Sequence, residues 1–273
     1  MKRMLTLLAG IAMTCTAMAQ TDSTKQKSDT IRIGNMIIVK TPGNEEQNER
    51  QSTRIYRRTH KPSAVSTNWF ILDLGFANYD DRTNYSSAEA QAFAPGGSKD
   101  MFKLRTVKSS NFNIWILMQR LNVIKHVVNL KYGIGLETNN YRFEEPVKFE
   151  TEPVTKVVLD NSTHYKKNKL SADYVTIPMM LNFNFTPKRD RGFSVSVGAS
   201  AGYLYASRQK TITDADGKRK KRDDFDLRPW KLSYIAEMGM GGIKLYGSLA
   251  TQSMFEKGLD MTPYAVGVRF SSW

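Results

Sequence analysis

The sequence predicts an all-β protein: an eight-stranded antiparallel up-and-down transmembrane β-barrel behind a flexible N-terminal lead. Three observations carry this. Eight segments between Trp69 and Phe270 alternate apolar and polar residues with a period of two. The connections between them alternate long and short, as in a barrel with long loops at one mouth and tight turns at the other. No segment beyond residue 20 is long and apolar enough for a membrane helix, so a spanning chain must close as a barrel.

The start of the 273-residue chain reads as processing rather than structure. Lys2 and Arg3 precede an apolar stretch, Met4 to Thr16, and Ala17-Met18-Ala19 is an A-x-A cleavage site, so residues 1–19 are expected to be a signal peptide. The single cysteine, Cys15, lies inside it. The residue before it, Thr14, is not the small residue that usually precedes a lipidated cysteine. The mature chain then has no disulfide framework and carries 38 basic against 26 acidic residues. Residues 20–66 are polar, with one apolar island at Thr30–Lys40. They read as a periplasmic lead with room for one strand over 31–39. The barrel is assigned to 67–273.

Within it the strands are expected at Trp69–Ala77, Asn111–Gln119, Val127–Glu137, Tyr174–Phe185, Phe193–Ala206, Trp230–Met240, Ile243–Gln252 and Tyr264–Phe270. Most approach the ~9–11 residues of a tilted membrane strand. Pro178, inside the fourth, is a mild objection because it lacks a ladder donor. Gly241-Gly242 is the tightest turn.

One parity of each strand is apolar: Phe70, Leu72, Leu74 and Phe76 in the first, then Phe112, Ile114, Ile116 and Met118 in the second. Val175 to Phe185, Phe193 to Tyr205, Trp230 to Met240 and Tyr264 to Phe270 repeat it. The other parity is small or charged and holds Asp73, Lys131, Glu137, Lys231, Glu237, Lys244 and Arg269. Small residues mixed with opposite charges suit the crowded lumen of an eight-stranded barrel, where buried charges must be paired. Glu237 and Lys244 flank the Gly-Gly turn as natural partners, and closure would bring Asp73 beside Arg269. A soluble lipocalin-like barrel, with its charged face outward, is the competing reading.

Aromatic residues sort to two rims, as expected where rings meet headgroups. Tyr79, Tyr141, Tyr174, Tyr203, Tyr205, Trp230 and Tyr264 fall at the long-loop rim. Trp69, Phe70, Phe185, Phe193, Phe270 and Trp273 fall at the other.

The cleaved signal, polar lead "DTIRIGNMIIVK", eight strands and aromatic-ended "YAVGVRFSSW" together resemble the small outer-membrane β-barrels of the PorT-like, OmpA-like eight-stranded type. The resemblance implies an outer-membrane location and, for some members, a link to secretion machinery; it does not imply one function.

The residues offer no catalytic, cofactor or metal constellation. His60, His126 and His164 stand apart from one another and from any Ser/Asp pair. Asp214–Gly217 reads as a hairpin tip rather than a calcium loop. The basic run Lys218-Arg219-Lys220-Lys221-Arg222 would suggest nucleic acid in the cytosol, which export argues against. On an external loop it could contact lipopolysaccharide phosphates, or it could be a solvated loop paired with Asp223, Asp224 and Asp226. The expected function is a monomeric, non-enzymatic envelope protein serving structure, assembly, adhesion or secretion through a protein partner. The alternatives are an outer-membrane lipid-modifying enzyme and a soluble periplasmic ligand-binding barrel.

Overall fold

The computed structural model describes residues 29–33, 36–40, 55–57, 63–187 and 192–271. The expected signal peptide with Cys15, His60, the short turn at Lys188–Arg191 and Trp273 lie outside the described residues.

The chain divides into two units, Met1–Pro62 and Ser63–Trp273. In the first, β1 (Asp29–Ile33), β2 (Met36–Lys40) and β3 (Ile55–Arg57) form an antiparallel sheet in the order β1-β2-β3. The sequence suggested one strand over 31–39. Instead the apolar island forms β1 and β2, paired antiparallel with Ile33 opposite Met36.

The second unit is the barrel. Its elements are β4 (Val65–Asp81), a short helix α1 (Ala88–Phe93), β5 (Ser110–Ile124), β6 (Val128–Arg142), β7 (Val147–Glu150), β8 (Lys156–Leu159), β9 (Tyr165–Asn184), β10 (Phe193–Thr213), β11 (Gly217–Arg222), β12 (Trp230–Met240), β13 (Ile243–Ala250) and β14 (Met261–Phe270). Antiparallel pairing runs β4-β5-β6-β9-β10-β12-β13-β14 and returns from β14 to β4. Eight strands therefore close on themselves, and closure removes the open edges an unfinished sheet would present. Gly241 takes φ 60° in the β12–β13 turn, a conformation that favours glycine. At Pro178 the β6–β9 ladder is interrupted between Tyr132↔Met179 and Gly135↔Thr176, while pairing with β10 continues through Ser200. The missing donor is absorbed on one side only.

The alternation turns a continuous apolar surface outward. Phe76, Ile134, Ile177, Leu181, Val197, Leu232, Tyr234, Leu245 and Val266 are exposed around the wall. A belt of this kind has no place in water and is what hydrocarbon requires. Met118 departs from expectation: it is fully buried in the lumen against Ile71, Trp115 and Met180. The β5–β6 register shifts between Trp115 and Leu117, and a bulge of one residue exchanges inward and outward positions beyond it.

Tyr79, Tyr141 and Tyr174 also depart from the expected girdle. All three pack inward beneath the loops, Tyr141 and Tyr174 deeply buried. Each shares the parity of a lumen charge on its own strand (Asp73, Glu137) or of the inward Thr176, so the alternation already placed them inside. The long-loop rim is formed by Tyr203, Tyr205, Trp230 and Tyr264, and the other rim by Trp69, Phe70, Phe185, Phe193 and Phe270, all exposed. Tyr203 and Trp230 pack edge to face across neighbouring strands at 5.0 Å.

The long connections are folded. β9 and β10 run past the rim as a hairpin arm, joined by β11 along the far side of β10. The connection 82–109 carries α1, capped by Ser87, whose hydroxyl accepts from the Ala90 amide at 3.2 Å. The connection 143–164 carries the β7–β8 hairpin.

Candidate functional site: a charged lumen under a loop cap

Inside the wall, the seven charged residues read from the sequence as inward-facing are all buried: Asp73, Lys131, Glu137, Lys231, Glu237, Lys244 and Arg269. They form two clusters. In the larger, Arg269 on β14 donates from Nε to Asp73 Oδ1 at 2.7 Å and from Nη2 to Oδ2 at 2.8 Å, across the closing pair of strands. Its third arm, Nη1, reaches Glu237 Oε2 at 2.5 Å. Glu237 also pairs with Lys131, lies 3.8 Å from Lys244, and accepts from Ser196 Oγ at 2.8 Å. Asp73 is completed by Trp115 Nε1 at 2.7 Å and Asn113 Nδ2 at 3.1 Å. The guanidinium lies over the Trp115 and Tyr246 rings at 5.2 and 5.8 Å.

The smaller cluster lies nearer the long loops. Lys231 pairs with Glu137, which also accepts from Asn139 at 3.0 Å and Thr176 at 3.2 Å. An asparagine relay joins the two: Asn139 Oδ1 accepts from Asn111, Asn111 and Asn113 bond each other, and Asn113 donates to Asp73. Small polar residues at alternate positions thus become a continuous network once the wall curves round them. Such a network ties together strands that are distant in sequence, and a desolvated charge inside it depends on its partners.

Above the lumen lies a feature the sequence reading missed. Each of the four long connections sends a phenylalanine into one core: Phe93 and Phe102 from 82–109, Phe143 and Phe149 from 143–164, Phe225 from 214–229 and Phe255 from 251–260. Phe149 sits at its centre, with ring centroids 5.5 Å from Phe225, 6.1 Å from Phe143 and 6.4 Å from Phe255, and Phe255 continues to Phe93 at 5.6 Å. Met101, Val147, Val157, Leu227, Met254, Leu259 and Met261 fill the remainder. Phe225 and Asp226 hold φ 54° and 52°, left-handed values costly for such residues, and Phe225 is fully buried. Polar groups lock the edges: Gln209 accepts from the Phe149 amide at 3.1 Å and donates to the Val147 carbonyl at 2.7 Å. The signal was present in the loops as apolar pairs and alternations, "MF", "VKF" and "MF" again, which soluble disordered loops would not need.

The basic run forms β11 and is wholly exposed. Its residues divide between two faces. Arg219 pairs with Asp216, and Lys221 donates to the Phe149 carbonyl at 3.3 Å, while Lys218, Lys220 and Arg222 are register partners of Ile212, Lys210 and Arg208. His126 bonds within its own turn to Asn122. Among the described residues no group of histidines, cysteines and carboxylates is placed to hold a metal ion.

Residues 77–259 match a family model described as outer membrane protein beta-barrel domain. No curated protein sequence matches the chain. Among solved structures, Neisserial surface protein A aligns at 10% identity over 77% of this chain and all of its own, with a TM-score of 0.33. Ail, the attachment invasion locus protein of Yersinia pestis, solved with the heparin analogue sucrose octasulfate, aligns at 11% identity over 75% of this chain and 97% of its own, at 0.30. These superpositions are loose.

Proposed function

Because this chain belongs to the outer membrane protein β-barrel domain family, and therefore resides in the outer membrane, we propose that it is a non-enzymatic, monomeric platform. It holds a folded cap at the cell surface for contact with other molecules and does not pass solutes. The observation that carries this reading is the shared phenylalanine core of the four long connections. Mobile loops would serve a solute pathway or a lid; a common core fixes one surface. The lumen below supports the same reading, because Asp73, Glu137 and Glu237 are all engaged with cations. A closed ring also needs no second copy to satisfy its edges.

The platform would serve envelope architecture or adhesion. A role in assembly or secretion is the second reading, favoured by the three-stranded sheet β1-β2-β3, a folded element suited to a protein partner. The test is electrical. Full-length protein in planar bilayers should show no stable conductance steps, whereas porin-like steps would refute a platform that passes nothing. A barrel-only variant lacking 29–57 should then keep surface contacts and lose assembly phenotypes if the second reading holds.

A further inference from the structure

The hairpin arm above the rim carries an unusual arrangement of charge. Arg142 on β6 is the register partner of Lys169 on β9, Lys169 of Lys210 on β10, and Lys210 of Lys220 on β11. Four cations thus stand side by side on four consecutive strands, a row about 14 Å long at the usual strand spacing. Lys167 and Lys218 stand one pleat further out, opposite Ile212, and Arg208 and Arg222 one pleat nearer the membrane. Like charges directly opposite on paired strands are destabilising, so such a row calls for a compensating anion.

The protein supplies little. Asp173 pairs with Arg208, and Asp214 and Asp216, near the hairpin tip, are engaged by Lys166 and Arg219. Among the described residues no carboxylate lies within ion-pair distance of Lys167, Lys210, Lys218, Lys220 or Arg222. The Lys169 ammonium, which donates to Asn140, is brought down to about 8 by burial first and then by Lys167, Lys210 and Arg208.

Where this face looks decides its partner. On β10 the rim residues Tyr203 and Tyr205 point outward. The register shift between Leu204 and Ala206 then re-phases the strand. Beyond it Ser207 and Gln209 are buried toward the cap, and Arg208 and Lys210 continue the outward side. The row therefore stands on the same side as the lipid belt, about 12 Å above the aromatic rim for a strand of ordinary rise and tilt. Elsewhere on the cap, Lys103, Lys148 and Lys156 pair with Glu144 and Glu150.

We propose that this β6-β9-β10-β11 face binds the phosphates of a lipid-anchored headgroup, lipopolysaccharide in the outer leaflet beside the barrel. Ammonium and guanidinium groups make charge-assisted bonds to phosphate oxygens, and the row offers several at one height while the acyl chains lie along the adjoining apolar wall. The proposal rests on the loop cap being external.

The experiment measures lipopolysaccharide retained by the detergent-purified full chain, by native mass spectrometry and by titration. The Lys169→Gln, Lys210→Gln, Lys220→Gln triple variant is compared with the equally discharged Lys103→Gln, Lys148→Gln, Lys156→Gln variant. The first should lose binding by about tenfold or more, the equivalent of one strong charge-assisted contact, and the second should retain it. Dephosphorylated lipopolysaccharide should bind both poorly. Equal binding by the two variants overturns the proposal. Displacement of the lipid by soluble heparin at equal phosphate- or sulfate-equivalent concentration overturns the choice of a membrane-anchored ligand. Because micelles have no sidedness, binding there is independent of orientation, which is read separately by surface labelling of cells.

Discussion

Arg269 and Asp73 stand opposite each other on the last and first strands of the barrel, and the guanidinium grips both carboxylate oxygens, at 2.7 and 2.8 Å. Only closure of the ring can bring residues so far apart in sequence into this contact. The pair is buried, and Glu237 holds the third arm of the guanidinium. Removing one member of a buried pair typically costs about 3–5 kcal/mol, because the other charge is stranded. Asp73→Asn and Arg269→Gln should each destabilise the reconstituted protein on that scale, and the double variant should lose less than the sum. A double-mutant cycle by unfolding in lipid measures this, and strict additivity would show that the two groups do not meet.

The outward apolar belt gives a second expectation. Val197 and Leu181 are register partners near the middle of the wall, both exposed. Arginine at either position should cost about 2–4 kcal/mol in a bilayer. Ordinary folding of Val197→Arg in lipid would reverse the assignment of faces.

Orientation can be read from single cysteines, since the one cysteine, Cys15, lies in the segment expected to be cleaved. Asp216→Cys, at the tip of the hairpin arm, should react with a membrane-impermeant maleimide on intact cells. Lys125→Cys, in the short β5–β6 turn, should react only after the outer membrane is opened. The reverse pattern would put the cap in the periplasm.

The strand pattern was legible because a barrel wall has one apolar side and one polar side at every position, and a period of two records both. Arg269 and Asp73 could be paired from sequence by parity and closure alone. Met118 was misplaced because a bulge leaves no mark in an apolar run yet exchanges the two faces. Tyr79, Tyr141 and Tyr174 follow parity rather than aromatic type: each packs inward with the lumen-facing positions of its own strand. The cap escaped notice for a different reason. Its core is assembled from Phe93, Phe149, Phe225 and Phe255, on four separate connections, and no local period links residues that meet only in space. The cationic row had the same origin: the run at 218–222 was visible, but Arg142, Lys169 and Lys210 join Lys220 only through strand register.

The four long connections fold as one body on the closed barrel, and hydrogen–deuterium exchange of the full chain in lipid tests this. Two variants sharpen the measurement. Phe255→Ala removes a buried ring at the junction of two connections, a change that costs about 3–5 kcal/mol in a packed core. Gly258→Ala places a Cβ 2.3 Å from the Phe93 Cβ at a position where φ is +78°. In the wild type the amide of Phe149, bonded to Gln209 on β10, and those of Arg228 and Gly258, bonded across connections, should exchange slowly, on the scale of the strands rather than of surface loops. Either variant should release protection in all four connections together while the lumen strands stay protected. Fast exchange of these amides in the wild type, or loss confined to the mutated connection, would contradict a single cooperative cap.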